Sequence, residues 1–195
     1  MSLLDDLNPV QQKAVVETEG PLLVFAGAGS GKTRVLTYRI AYLIQEKRVQ
    51  PWNIFAVTFT NKAADEMRER VARLLRGSAK GNWISTFHSA CARILRLHIE
   101  RLGFKRNFVI YDDQDQERHL KTIMKELNLD FKMFPPRAIQ SGLDQLKNEG
   151  VTPDRYSPNP YNIFQKRLAL VYQRYQEDLH RNNALDFGDL LTFVT

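Results

Sequence analysis

The sequence predicts an α/β fold: a parallel sheet flanked by helices in the first half and a helical subdomain in the second. Three observations carry this reading. Short apolar runs alternate with helix-period segments over residues 22–102. A glycine-rich turn, Gly27 to Gly31, joins the first apolar run to the first helical segment. Beyond Tyr111 helical periodicity continues without further strand-like runs.

Taken in order, Leu22 to Phe25 reads as a strand buried on both faces, and residues 32–46 as a helix carrying Val35, Ile40, Leu43 and Ile44. Residues 54–59, Ile-Phe-Ala-Val-Thr-Phe, read as a second buried strand. Asn61 is placed to cap a helix running to about Arg76, where Gly77 ends it. Ala64, Met67, Val71 and Leu74 or Leu75 give that helix an apolar stripe. Residues 83–86 read as a third strand, and residues 89–102 as a helix closed by Gly103. A βαβα order of this kind builds a parallel sheet with helices packed outside it.

The second half reads differently. Residues 115–128 and 136–149 are predicted helices, and Pro153, Pro158 and Pro160 mark a loop. A further helix follows from about Asn162 to Arg181. Its stripe of Phe164, Leu168, Val171, Tyr172, Tyr175 and Leu179 has the spacing of a core face. The predicted division is residues 1–110 for the sheet-bearing part and 111–195 for the helical part.

Composition bounds the classes. The chain has 195 residues, 43% of them hydrophobic, enough to bury a sizeable core. A lone cysteine, Cys91, excludes an internal disulfide framework and suits a reducing cytoplasm; its apolar setting predicts a buried structural thiol. No apolar run has the length of a membrane span, and residues 1–7 lack the basic start of a signal peptide. Charge is uneven along the chain. Residues 31–106 hold 16 Lys and Arg against 5 Asp and Glu, whereas residues 107–195 hold 11 against 13. A basic middle third fits docking of a polyanion, where a solvated basic face is the plainer alternative.

Four segments carry chemistry. Ala26-Gly27-Ala28-Gly29-Ser30-Gly31-Lys32-Thr33 is a phosphate-cradling loop: its glycines allow backbone N–H groups to face an anion, Lys32 reaches the β- and γ-phosphates, and Thr33 can hold Mg²⁺. Ala26 stands where the common motif has glycine. Gln11, upstream, has a carboxamide able to read an adenine edge, or is simply solvated at a helix start. Thr58-Phe59-Thr60-Asn61-Lys62 leaves the second strand at the edge where ligands gather in open α/β sheets. Hydroxyls, an amide, an ammonium and an aromatic ring there suit a single-stranded nucleic acid; the alternative is a core Phe59 with Asn61 as a helix cap. Ser85-Thr86-Phe87-His88-Ser89 repeats this chemistry after the third strand, followed by Arg93, Arg96 and Arg101.

The order of these segments resembles the N-terminal part of UvrD/PcrA/Rep-type superfamily 1 DNA helicases over nearly the whole chain. The resemblance rests on Leu-Asn-x-x-Gln, then Ala-Gly-Ala-Gly-Ser-Gly-Lys-Thr-Arg, then Thr-Phe-Thr-Asn-Lys-Ala-Ala-x-Glu-Met, then Thr-Phe-His-Ser. It implies an incomplete RecA-like P-loop sheet with an inserted helical subdomain. It further implies ATP and Mg²⁺ as ligands, and single-stranded DNA or single/double-strand junctions as partners in DNA repair or replication. By resemblance Gln11 reads adenine, Lys32 and Thr33 contact triphosphate and Mg²⁺, and Arg34 packs against the base. Phe59, Thr60, Asn61 and Lys62 form a first single-strand contact, and Thr86, Phe87, His88 and Ser89 a second. Leu185-Asp186-Phe187-Gly188-Asp189-Leu190-Leu191 resembles the end of the insertion, with Gly188 at a position usually acidic.

One expected segment does not occur. Helicases of this type carry Asp-Glu-x-Gln-Asp, whose acidic pair holds Mg²⁺ and activates water, and these 195 residues contain none. Phe108-Val109-Ile110-Tyr111-Asp112-Asp113 imitates it, but the family pattern puts that stretch at the start of the insertion, and the sequence downstream shows no strand to extend a sheet around it. The chain is therefore expected to bind nucleotide without turning it over. Two alternatives stay open: a non-enzymatic single-strand-binding module, and the N-terminal part of a helicase–nuclease.

Overall fold

The computed structural model describes residues 3–77, 81 and 83–194. It is a mixed α/β structure of short parallel sheets flanked by helices. Two units divide it, Met1–Ala90 and Cys91–Thr195.

The first unit opens with α1 (Pro9–Val16), whose start is fixed by a reciprocal cap. Asn8 Oδ1 accepts the Gln11 N–H at 2.9 Å, and Gln11 Oε1 accepts the Asn8 N–H at 3.2 Å. Leu7 and Val15 pack against Val35 and Tyr38 of α2 (Lys32–Gln45), which seats α1 beside the helix that follows the glycine loop. The Arg39 guanidinium ties the end of α1 down by donating to the Ala14 and Glu17 carbonyl oxygens. β1 (Phe55–Thr58) and β2 (Trp83–Thr86) run parallel, with Phe55 opposite Trp83 and Thr58 opposite Thr86. Ile40, Ile54, Met67, Val71, Leu75 and Ile84 form the core between this pair, α2 and α3 (Asn61–Leu74).

Three expectations for this unit change. Leu22 to Phe25 is not a strand: among the described residues nothing pairs with it, and Leu23 and Phe25 are 76% and 89% exposed. An apolar run becomes a strand only where a neighbour completes its ladder, and β1 and β2 pair with each other instead. The cap of α3 is Thr60, not Asn61; its hydroxyl accepts the Ala63 N–H at 3.2 Å. The helix after β2 starts at Phe87 rather than Ser89. It runs as α4 (Phe87–His98) and tightens into a 3₁₀ turn, Ile99–Leu102, before Gly103.

In the second unit β3 (Val109–Tyr111) precedes α5 (Asp113–Glu126), α6 (Pro136–Asn148) and α7 (Ile163–Arg181). Asp112 caps α5 and Asn162 caps α7 through their side-chain oxygens. Leu120, Ile123, Leu143, Val171, Tyr175 and Leu179 are wholly buried between these three helices. The aromatic stripe of α7 is thus core along Tyr172 and Tyr175. β4 (Ala184–Asp186) pairs parallel with β3, Tyr111 opposite Asp186, and leads into α8 (Phe187–Thr192). This corrects the expectation of no strand after Tyr111. Three residues are too few to show a two-residue period, so β4 was invisible in the pattern.

A second core in this unit gathers Leu95, Ile99, Phe104, Phe108, Leu185 and Leu190, with Cys91 half-buried beside it. Burial pushes the Cys91 thiol up from its ordinary value, which suppresses the thiolate. The Arg96 guanidinium lies 3.9 Å from the Phe108 ring centroid and donates to the Arg106 carbonyl oxygen. It braces the fold rather than standing free for a ligand.

Candidate nucleotide and nucleic-acid site

The candidate ligand contacts of the first unit lie on α1, on the glycine loop, on α2, or where β1 and β2 end. Gly29 and Gly31 take φ of +74° and +88°, a conformation that side-chain-bearing residues adopt only at a cost. Gly31 is the N-cap of α2 and offers no side-chain cap, so the first N–H groups of the helix are left to the loop's open side. Ser30 folds the loop by donating its hydroxyl to the Gly27 carbonyl oxygen at 2.7 Å.

Lys32 turns back across this loop. Its ammonium donates to the Ala26 and Gly27 carbonyl oxygens at 3.0 and 2.7 Å. Thr33 lies exposed in the same first helical turn. Open N–H groups, a positive helix end and a swinging ammonium make a set that fits a phosphate. Ala28 is exposed at the tip, and the alanine at position 26 leaves the positive-φ positions untouched.

Gln11 joins the loop directly. Its Nε2 donates to the Ser30 carbonyl oxygen at 3.1 Å, and a Cβ placed on Gly31 would sit 2.8 Å from that nitrogen. Both ends of the carboxamide are therefore engaged, one with the α1 cap and one with the loop. Arg34, in the first turn of α2, donates to the Asp6 carbonyl oxygen at 2.6 Å and lies 5.6 Å from the Tyr38 ring centroid. The Tyr38 hydroxyl donates to Asp6 Oδ2 at 3.0 Å, and burial, with Asp6 next, pushes the phenol up. Arg34, Thr37 and Tyr38 face Arg70, Arg73 and Leu74 of α3 across a groove of about 400 Å³. Sequence reasoning missed Arg70 and Arg73. Their signal was a three-residue spacing on the polar side of the α3 stripe, which ordinary solvated arginines share.

The two strand-end segments come together. β1 and β2 end in register at Thr58 and Thr86, and the rings that follow, Phe59 and Phe87, lie 5.7 Å apart at 46°. Phe59 is 92% exposed and Phe87 41%, which excludes the reading of Phe59 as core. Asn61, Lys62, His88 and Ser89 are also exposed around the pair. The threonines do other work. Thr60 caps α3, while Thr86 is buried, accepts the Ser89 N–H at 3.2 Å and donates to the Ser89 hydroxyl at 2.8 Å. Thr86 sets the start of α4 and offers no open face to a ligand. The exposed rings, amide and ammonium form a surface on which unstacked bases can lie while cations meet phosphates.

Among the described residues no group of three or more His, Cys, Asp or Glu gathers as a metal site, and no helix is long and apolar enough to cross a membrane.

Comparison with known proteins places this arrangement. The family described as the UvrD/REP helicase N-terminal domain matches residues 7–195. The chain is 55% identical over 189 residues to the ATP-dependent DNA helicase PcrA of Bacillus subtilis (strain 168), covering 97% of this chain and 26% of that protein. It is 51% identical over 190 residues to the ATP-dependent DNA helicase PcrA of Staphylococcus aureus (strain Mu50 / ATCC 700699), with the same coverage. The chain thus spans about a quarter of the length of these relatives. With the phosphate loop and the paired strand ends in place, the match over nearly every residue means that the chain belongs to the UvrD/REP helicase N-terminal domain family.

Proposed function

We propose that this chain is the ATP-binding and single-strand-contacting N-terminal portion of an ATP-dependent DNA helicase. The observation that carries the proposal is the Phe59–Phe87 pair at the ends of two paired strands, in the same unit as the glycine loop. A free phosphate-transfer enzyme has no use for exposed, adjacent rings ringed by Asn61, Lys62 and His88.

In this reading Lys32 exchanges its two loop carbonyls for the β- and γ-phosphates, and the N–H groups of Gly29 to Thr33 close around them. Thr33 supplies a hydroxyl to Mg²⁺. Arg34 lies against the base, which the groove between α2 and α3 receives, with Arg70 and Arg73 on its far wall. Gln11 either leaves Ser30 to read the adenine edge or holds the loop in shape from where it stands. Hydrolysis in the whole protein supplies the free energy for movement along the strand.

We assign residues 1–110 to the RecA-like part and 111–195 to the insertion. In support, the three long helices α5, α6 and α7 all follow residue 110. The partners proposed are single-stranded DNA or single/double-strand junctions, in the cytoplasm, for repair or replication.

Without an Asp-Glu-x-Gln-Asp segment, the 195-residue chain holds nucleotide and does not turn it over. The test is titration with a fluorescent ATP analogue, with and without Mg²⁺, beside a steady-state phosphate-release assay. Saturable binding that Lys32→Ala removes, with no phosphate release, is expected. Phosphate release that Lys32→Ala abolishes would overturn the division of labour, and no nucleotide binding would favour a plain single-strand-binding module.

A further inference from the structure

The helical unit buries a charge cluster far from any ligand contact proposed above in sequence. Lys147, in the last turn of α6, is 2% exposed. Its ammonium donates to Asp186 Oδ2 at 2.6 Å and to Asp189 Oδ1 at 2.7 Å. Two carboxylates against one ammonium leave one net negative charge inside the unit.

All four carboxylate oxygens already accept a hydrogen bond. Asp186 Oδ1 takes the Asp189 N–H at 2.9 Å, and Asp189 Oδ2 takes the Asp186 N–H at 3.2 Å. Gln176 Nε2 adds a donation to Asp189 Oδ1 at 3.0 Å. Among the described residues, the groups facing the cluster from elsewhere supply no second cation. They are Asp144 on α6, Tyr172 and Tyr175 on α7, and Tyr111, paired in register with Asp186. His119 of α5 meets the Tyr111 and Tyr175 rings and Asp178 instead.

Gln176 Oε1, beside the cluster, is buried without a hydrogen-bond partner, and the Tyr175 hydroxyl lies against Asp186. The Tyr175 ring lies 5.2 Å from the Lys147 ammonium and Gln176 reaches Asp189 through its amide, so both side chains border the same charges. An acceptor with nothing to accept, next to a carboxylate, is a seat for a carboxyl proton. Turning the Gln176 carboxamide over brings its oxygen to Asp189 in place of its NH₂ group.

We propose that Asp189, held beside Asp186 and Lys147, takes up one proton, donates it to the Gln176 carbonyl oxygen, and so latches β4–α8 onto α6 more firmly than the charged cluster does. The step is a plain protonation. A hydronium or buffer acid gives up its proton, an O–H forms on the carboxyl, and the buried net charge goes from −1 to zero. Thr192 closes the same seam by donating its hydroxyl to the Lys147 and Gly188 carbonyl oxygens at 3.1 and 2.9 Å. Burial is also the larger influence on the Asp189 carboxyl, pushing it up to about 6 against the lowering pull of Lys147. The folded chain then holds this proton more tightly than the unfolded chain. Its contribution to stability rises as pH falls through 6 toward the ordinary carboxylate range, and is lost above 6.

The experiment compares urea unfolding of the chain and of Asp189→Asn between pH 7.5 and 4.5. Relative to Asp189→Asn, the native chain is expected to gain up to ~tenfold in folding equilibrium constant per pH unit below 6, the limit for one linked proton. An identical pH dependence of the two proteins overturns the latch. Should Asp189→Asn fail to fold, ¹³C carboxyl shifts of the native chain decide the matter. The Asp189 carboxyl titrating above the usual carboxylate range supports the proposal, and its titrating within or below that range overturns it. Asp144→Asn serves as the control, because burial also raises that neighbouring carboxyl. A pH dependence that follows Asp144 rather than Asp189 counts against the latch.

Discussion

The Lys32 ammonium donates to the Gly27 carbonyl oxygen at 2.7 Å, so the cation that would meet a phosphate rests on the loop's own backbone. A triphosphate has to replace that carbonyl and the Ala26 carbonyl with its own oxygens, which are better acceptors because they are charged. Lys32→Ala removes this exchange. Nucleotide affinity should fall by about 10- to 100-fold, the worth of one charge-assisted contact. Lys32 is exposed, so the thermal midpoint should hold, and a loss of both together would mean the lysine braces the fold.

Gly31 answers to two constraints at once. Its φ of +88° strains any other residue, and a Cβ would press to 2.8 Å on Gln11 Nε2. Gly31→Ala is therefore expected to cost about 1–2 kcal/mol in unfolding free energy. Gln11→Ala removes the crowding but not the backbone strain. The double variant should recover part of the loss and leave the remainder, which chemical denaturation of the four proteins would measure as a coupling.

The exposed ring pair gives a separable prediction for DNA. Phe59→Ala and Phe87→Ala should each weaken binding of an oligo-dT strand by about 1–3 kcal/mol, the range for one base stacked on one ring. Phe59 is almost wholly exposed, so its loss should leave stability unchanged. Lys62→Ala should act differently, flattening the salt dependence of the anisotropy titration by about one phosphate contact. If both ring variants bind like the native chain, the strand does not run over this edge.

How much of this could be read from residue order alone follows from the range of the interactions involved. The loop, α2, α3 and the strands at 55–58 and 83–86 rest on local signals, apolar period and glycine placement, and they stand where those signals put them. The Phe59–Phe87 contact was legible only as two similar segments after two strands, because parallel pairing in register brings them together. What failed depends on partners. Leu22 to Phe25 has the composition of a strand and no ladder, and Ala184 to Asp186 has a ladder with too few residues to announce it. Thr60 took the cap from Asn61 because helix start, not residue preference, decides which side chain reaches the third N–H. The burial of Lys147 against Asp186 and Asp189 joins residues some 40 apart in the chain, and no local pattern encodes it.

Gly188 tests that burial from the other side. A Cβ there would lie 2.8 Å from Lys147 Cδ and 3.1 Å from its Cβ. A lysine at the surface would swing away from such a contact, but this one is held at both carboxylates. Gly188→Ala should therefore destabilise the chain by about 1–3 kcal/mol, as overpacking does, although alanine favours the helix itself. A neutral or stabilising result would mean that Lys147 shifts without losing its partners.

The apolar run from Leu22 to Phe25 makes the last prediction. Leu23 and Phe25 present large side chains to water beside backbone N–H and C=O groups that no described strand satisfies. Such an edge is a template for pairing with another chain, and its side chains attract amphiphilic dyes. The purified chain should bind anilinonaphthalene sulfonate in its native state and self-associate as concentration rises. Leu23→Lys should reduce dye binding and sedimentation of larger species without lowering the unfolding midpoint, since the side chain it replaces is already in solvent. An unchanged dye signal would place the apolar surface elsewhere, at Phe55 or Trp52 on the same unit. A lowered midpoint would instead mean that the run is covered in solution.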